Sequence, residues 1–222
     1  MEKETNKNKG AFVERDLSWM YFNHRILQEA KKEDIPVLER MTFLGIYSNN
    51  LDEFFRVRMA SLNRIAQSKD KNIKNDRERA KRTIKDINHL NSCYNKEFEN
   101  AVNDITDELE RQGIKLVHEH QLNDEQQEFI RRFYLDKLNG STNPVWLSQV
   151  KEIGTTVDDG IFLAVKQMEW IEGKKKPKTN YALIAMPDKE VGRFVRLPKS
   201  DNKENIMFLD DVIRFCLPMI FV

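Results

Sequence analysis

Cysteine is nearly absent: the 222 residues hold two, Cys93 and Cys216. Thiols so far apart build no disulfide framework and match no metal-ligand spacing. They read as two buried thiols in a reducing, cytoplasmic setting, with no redox role. Glycine (8) and proline (6) are also scarce, and the few glycines form no P-loop, no dinucleotide-binding fingerprint and no GxSxG elbow; an HExxH run is missing too. Those absences remove the common local signatures of nucleotide binding, ester hydrolysis and zinc proteolysis. No apolar run approaches the ~18 residues of a membrane span, and the polar start MEKETNKNKG lacks the apolar stretch of a signal peptide. A soluble, unexported protein without a transmembrane segment is expected, cytoplasmic and free or peripheral to the membrane. Neither sign of charge dominates, with 37 Lys and Arg against 36 Asp and Glu, so bulk charge points to no polyanion partner.

What is present is a helix-leaning balance of 33% charged and 40% apolar residues, enough to fold. The length suits two modest domains. Charge is unevenly distributed. Between Arg56 and Asp86 eleven basic residues meet four acids, a local +7 in a chain whose net charge is +1. On a long helix such a run ordinarily faces water.

The apolar pattern is first helical. Residues 1–15 read as a flexible tail, after which Leu17, Met20, Tyr21 and Leu27, with Trp19, Phe22 and Ile26 alongside, predict a helix with a broad buried face, capped by Asp16 or Ser18. Pro36 opens a second run in which Leu38, Met41, Leu44, Leu51, Phe54, Phe55, Leu62 and Ile65 keep helical spacing. Gly45 and Asn49–Asn50 predict a joint there, one helix ending near Tyr47 and another starting at Asn50, with Glu53 completing a capping-box variant. From Ile73 to Gln112 neither glycine nor proline occurs, and the periodicity predicts one helix of about 55–60 Å, ended by Gly113 as a C′ glycine.

After Gly113 the pattern changes. A short helix is predicted over 124–138, then strands over 145–150, 161–171, 181–186 and 193–197, with EGKKKPKTN as a hairpin loop. The fold class is therefore α+β: an all-helical N-terminal bundle over 16–113, then a mixed α+β domain with mainly antiparallel strands over 114–222. The final CLPMIFV is apolar with no polar tail behind it, which reads as a domain truncated at its C-terminus.

Residues able to carry chemistry are few. His118 and His120 flank Glu119, but without a third ligand in view they read as a surface segment; His24 and His89 read as structural. No catalytic residue and no metal ligand is assigned. Asp52 and Glu53 read as acids meeting the dipole of a first helical turn rather than as metal ligands. Arg56 and Arg58 are candidates for collecting phosphates. Lys174, Lys175, Lys176 and Lys178 decorate a hairpin tip. Asn50 reads as the N-cap of the following helix.

The most informative stretch is residues 16–62. Within it DLSWMYFNHRILQEA and FLGIYSNNLDEFFRVR closely resemble the opening of the long bacterial polyphosphate kinases: an acidic residue before LSW, a Phe22–Asn23 pair, and the SNNLDEF run after a helix that begins at a proline. ALIAMP, RFVRLP and FLDDVIRFCL are similar, more weakly, to the family's head domain, whereas 139–159 match it poorly. The resemblance implies an enzyme, a phosphotransferase that uses ATP and magnesium to phosphorylate an enzyme histidine and then passes the phosphoryl group to polyphosphate, reversibly through ADP. It implies a helical N domain and a dimer-forming head, with the phosphoryl-accepting histidine, the Mg2+ site and most ATP contacts in C-terminal domains that this sequence does not contain. The 222 residues are therefore expected to be inactive alone. It further implies that Asn50 meets the adenine end of ATP. The rival reading is a non-enzymatic helical adaptor that binds RNA, DNA or an acidic partner through residues 56–86. It ranks lower, because Trp19, Phe22, Phe54, Phe55, Tyr94 and Phe98 fall at core spacing rather than at exposed stacking positions, so no nucleic-acid partner is expected.

Overall fold

A computed structural model describes residues 13–150, 160–173 and 176–221. Most of the expected tail, residues 151–159 and the loop lysines Lys174 and Lys175 lie outside the described residues. The chain divides into two compact units, Met1–Leu109 and Glu110–Val222.

The described part of the first unit is helical. Helix α1 (Arg15–Ala30) is capped by Glu14, whose Oε2 accepts from the backbone N–H groups of Asp16 and Leu17 at 2.8 and 3.3 Å. The expected caps do other work: Asp16 is buried and faces another element. Its buried positions, Asp16, Met20, Asn23, Leu27 and Ala30, step by four and three along one narrow strip. Leu17, Trp19 and Ile26, partly buried, pack on either side of it and complete the broad face, whereas Tyr21 and Phe22 are 48% and 58% exposed.

Helix α2 (Val37–Phe54) packs on α1 along a similar strip of Val37, Arg40, Leu44, Tyr47 and Phe54, which leaves Leu38 and Met41 exposed. Arg40 is buried and donates from Nε to the Ala30 carbonyl at 2.8 Å, satisfying a C-terminal carbonyl of α1. The predicted joint at Tyr47–Asn50 does not exist. Helix α2 runs through Gly45, Asn49 and Asn50, passes through a π-helical turn over Phe55–Met59 and continues as α3 (Ala60–Gln67).

Helix α4 (Lys74–Arg111) is the single long helix that its sequence predicts, followed by Gly113 at φ 88°, in the left-handed region that glycine tolerates. Met20, Leu27, Leu44, Tyr47, Phe54, Ile87, Tyr94 and Ile105 form the core of this unit. Trp19 stacks on Phe54 and Tyr47 on Phe98, with ring centroids at 4.2 and 5.6 Å. Cys93, expected to be buried, is exposed on α4; Cys216 is buried as expected.

The second unit mixes helices with two three-stranded sheets. Strand β1 (Ile114–Leu116) pairs in parallel with β6 (Lys203–Phe208), which pairs antiparallel with β5 (Phe194–Ser200) through a tight turn at Asp201–Asn202. Both turn residues have positive φ, 53° and 57°, as a two-residue hairpin loop requires. The other sheet is antiparallel, with β4 (Lys178–Ala185) between β2 (Val145–Trp146) and β3 (Phe162–Glu169).

Helix α5 (Asp124–Phe133) opens on a full capping box between Asn123 and Gln126 and ends in a π-helical turn over Tyr134–Leu138. A four-residue helix α6 (Asp188–Val191) lies between β4 and β5, and α7 (Leu209–Ile220) follows β6 directly. Ile130, Leu138, Ile184, Met207, Leu209, Val212, Ile213 and Cys216 make the core of this unit. No helix of the described residues is long and apolar enough to cross a membrane.

Candidate functional site

The SNNLDEF run occupies the last turns of α2, not the first turn of a new helix. Asn50 therefore caps nothing. Its Nδ2 donates to Asn23 Oδ1 on α1 at 3.2 Å, and Asn23, almost wholly buried, donates onward from Nδ2 to the Tyr47 carbonyl at 3.1 Å. Two asparagines thus cross-link α1 to α2 through carboxamides. Among the described residues this is the one side-chain hydrogen bond that Asn50 makes. A carboxamide offers two N–H donors and two acceptor lone pairs, so one N–H and the carbonyl oxygen of half-buried Asn50 stay free for a ligand.

Asp52 and Glu53, expected to open a helix, instead sit near the C-terminal end of α2, where acids gain nothing from the dipole. Asp52 pairs with Arg56 across one turn at 3.0 Å, both side chains more than half exposed. Arg58 makes the stronger contact. Its Nε and Nη2 donate to Asp16 Oδ1 and Oδ2 at 2.8 and 3.2 Å, a bidentate fork on a carboxylate whose side chain is 5% exposed. That hydrogen bond raises the Arg58 pKa further above its ordinary value.

The π-helical turn makes this contact possible. It adds one residue to the helical repeat and shifts the side chains that follow; Arg58 meets α1 while Met59 enters the core. A cavity of ≈ 430 Å³ lies here, lined by Arg15, Asp16, Ser18, Trp19, Phe22, Phe54 and Arg58. Three of the seven lining residues, Trp19, Phe22 and Phe54, are aromatic and two are arginines. Asp16, expected as a cap, instead accepts from a guanidinium forty-two residues on, a pairing that no local spacing signals.

Other cations of the 56–86 segment are engaged locally. Lys81 pairs with Glu78 at 3.1 Å, and Arg77 donates to the Ser68 carbonyl at 2.9 Å. His24 stacks on Tyr94 with centroids at 3.9 Å and contacts Glu97 at 3.1 Å. Glu97 is held below the usual carboxylate range, chiefly by Lys31 and then by His24.

In the second unit His118 and Glu119 meet a third potential ligand that lies ninety-three residues away. Asp211 Oδ2 is 2.9 Å from His118 Nδ1, and Arg214 Nη1 contacts the other oxygen of the same carboxylate. Arg214 also reaches Asp210 at 3.3 Å, and Arg193 lies 3.6 Å from Asp210. No periodicity could have joined His118 to Asp211, since the parallel pairing of β1 with β6 brings them together.

The chain thus joins a helical unit, cross-linked by paired asparagines, to an α+β unit of small sheets. Two family models match in succession: "Polyphosphate kinase N-terminal domain" over residues 12–117 and "Polyphosphate kinase middle domain" over 125–222. The chain belongs to the polyphosphate kinase family. It is 36% identical over 213 residues to the polyphosphate kinase of Salmonella typhimurium, 35% to that of Escherichia coli K12 and 32% to that of Vibrio parahaemolyticus; each match covers 95% of this chain and 30% of the relative. The crystal structure of polyphosphate kinase from Porphyromonas gingivalis superposes with a TM-score of 0.80 at 29% identity, over 95% of this chain and 30% of that one. The chain thus spans about a third of the length of these relatives.

Proposed function

We propose that this chain supplies one wall of the nucleotide site of a polyphosphate kinase, an enzyme that moves the terminal phosphoryl group of ATP to polyphosphate through a phosphohistidine and makes ATP from ADP in reverse. The observation that carries the reading is the state of Asn50. Freed from any capping role and anchored by one N–H to Asn23, its carboxamide keeps a donor and an acceptor side by side, the pattern that an adenine edge presents in complement. Asn23 and the Tyr47 carbonyl fix the orientation before nucleotide arrives, so little side-chain entropy is lost on binding. Arg56 and Arg58 add positive potential rather than direct phosphate ligands, because each is already paired with a carboxylate.

The residues around Asn50 do not fit a magnesium ion. Mg2+ needs oxygen ligands in near-octahedral array, whereas Asp16 is clamped by Arg58 and Asp52 pairs with Arg56. The ion and the phosphorylated histidine are assigned to other parts of the enzyme. The head unit is assigned the contact between two copies of the enzyme.

The test is Asn50→Ala and Asn50→Asp in a catalytically complete polyphosphate kinase that carries these 222 residues at its N-terminus. Losing two hydrogen bonds of about 0.5–1 kcal/mol each weakens ATP binding roughly five- to thirty-fold in Asn50→Ala. Asn50→Asp keeps an acceptor, loses the donor and sets a charge against Asn23 Oδ1, so it is expected to bind no better. ATP affinity at the parent level in both variants removes Asn50 from the site.

A further inference from the structure

We propose that His118, Glu119 and Asp211 form a binding site for a divalent transition-metal ion of the zinc class, joining the exit of β1 to the start of α7. One imidazole nitrogen and two carboxylate oxygens all lie within 4.8 Å of one another. A mixed nitrogen and oxygen set suits Zn2+ or Co2+, while Mg2+ and Ca2+ call for oxygen throughout.

For His118 and Asp211 the spacing is already close to what an ion needs, and Glu119 closes on them from within 4.8 Å. Ligand bonds of about 2.0–2.2 Å in tetrahedral array put neighbouring donor atoms roughly 3.3 Å apart, and His118 Nδ1 stands 2.9 Å from Asp211 Oδ2. A few tenths of an ångström of opening replaces the hydrogen bond between them by a shared ion. The neutral imidazole then presents its Nδ1 lone pair and carries its proton on Nε2.

Both ligand carriers are held by the fold. Val117 N–H bonds to the Ile206 carbonyl at 2.8 Å, extending the β1–β6 ladder up to His118. The His118 N–H bonds to Gln121 Oε1 at 3.0 Å. Asp211 sits in the first turn of α7, one residue beyond Asp210, and its side chain is 4% exposed. Arg214 holds Oδ1, which leaves Oδ2 aimed at the imidazole; this is the orienting support that the ligands of a metal site receive from a second layer of contacts. The two carboxylates outweigh the one guanidinium, so the cluster carries net negative charge with His118 neutral. Three protein donors leave a fourth position for water.

The site is tested by titrating the 222-residue protein with Co2+ and following its visible absorption, then displacing the ion with Zn2+. A Cys93→Ser background is used, because exposed Cys93 stands one helical turn from His89 and could chelate by itself. One equivalent of Co2+ is expected, with affinity lowered at least about tenfold in His118→Gln and in Glu119→Gln while far-UV circular dichroism stays at parent level. Zn2+ is expected to raise the melting temperature of the parent and not of His118→Gln. These two variants alter exposed or half-exposed groups, so they leave the buried Asp211–Arg214 pair in place. No uptake by the parent at about 100 µM Co2+, or titration curves of both variants that coincide with the parent, would overturn the site. Displacement of Co2+ by millimolar Mg2+ would overturn the class of ion.

Discussion

Tyr47 concentrates the chemistry of the helical unit in one side chain. It is 2% exposed, its carbonyl receives Asn23, and its hydroxyl has no hydrogen-bond partner among the described residues. Burial, with Tyr94 and Glu97 adding to it, pushes its pKa up to about 12. The folded state therefore keeps its phenolic proton where the unfolded chain has already lost it, and stability present below pH 10 is lost as pH rises from 10 toward 12. Tyr47→Phe removes an unpaired polar atom and keeps the ring and the carbonyl. We expect it to leave stability unchanged or raise it by about 1 kcal/mol at pH 7. Urea melts across the alkaline range should show a shallower decline in the variant; an equal decline would assign the alkaline loss to other groups. At this scale Asn23 and Asn50 each stood out in the sequence within a separate motif, but their contact did not. The bond between them spans twenty-seven residues, and local pattern reasoning sees only neighbours.

At the scale of elements, the helical succession and the long α4 were legible because apolar spacing of three and four needs only the chain itself. The joint at Asn50 was misread for a physical reason. Gly45 and two asparagines weaken an isolated helix by roughly 1 kcal/mol or less each, but burial of Leu44, Tyr47 and Phe54 and the carboxamide bonds to α1 outweigh that cost. Strand β1 escaped notice because it is three residues long and takes its meaning from β6, and the predicted strand over 145–150 shortens to two residues before a 3-10 turn. The π-helical turn had no local signature, yet it delivers Arg58 to Asp16. Arg58→Ala leaves a buried carboxylate unpaired and should cost about 2–4 kcal/mol. Asp52→Ala, which breaks an exposed pair one turn earlier, should change stability by less than about 0.5 kcal/mol. Equal effects of the two in urea denaturation would mean that the Asp16–Arg58 fork carries no more weight than a surface pair.

For the molecule as a whole, two compact units amount to about a third of the length of the polyphosphate kinases they match. The four histidines His24, His89, His118 and His120 include two that already contact carboxylates, Glu97 and Asp211. We predict that the 222-residue protein neither forms polyphosphate from ATP nor becomes phosphorylated on histidine. Incubation with radiolabelled ATP and magnesium checks this, and an acid-labile, base-stable label on the protein would contradict it.

The parallel pairing of β1 with β6 also sets an order of events in time. Strand β1 leaves the ribosome directly after α4, but its partner residues 204–206 are made about ninety positions later. At roughly 5–20 residues per second that is a wait of about 5–18 seconds. During the wait α1, α2 and α4 can settle on one another, their partners being already made, whereas the β1-β6-β5 sheet has to close a loop that encloses nearly the whole second unit. Refolding is then expected in two phases, a fast gain of helical signal and a slower one reported by the sheet. Transposing β1 to follow α7 would shorten that loop and speed the slow phase alone.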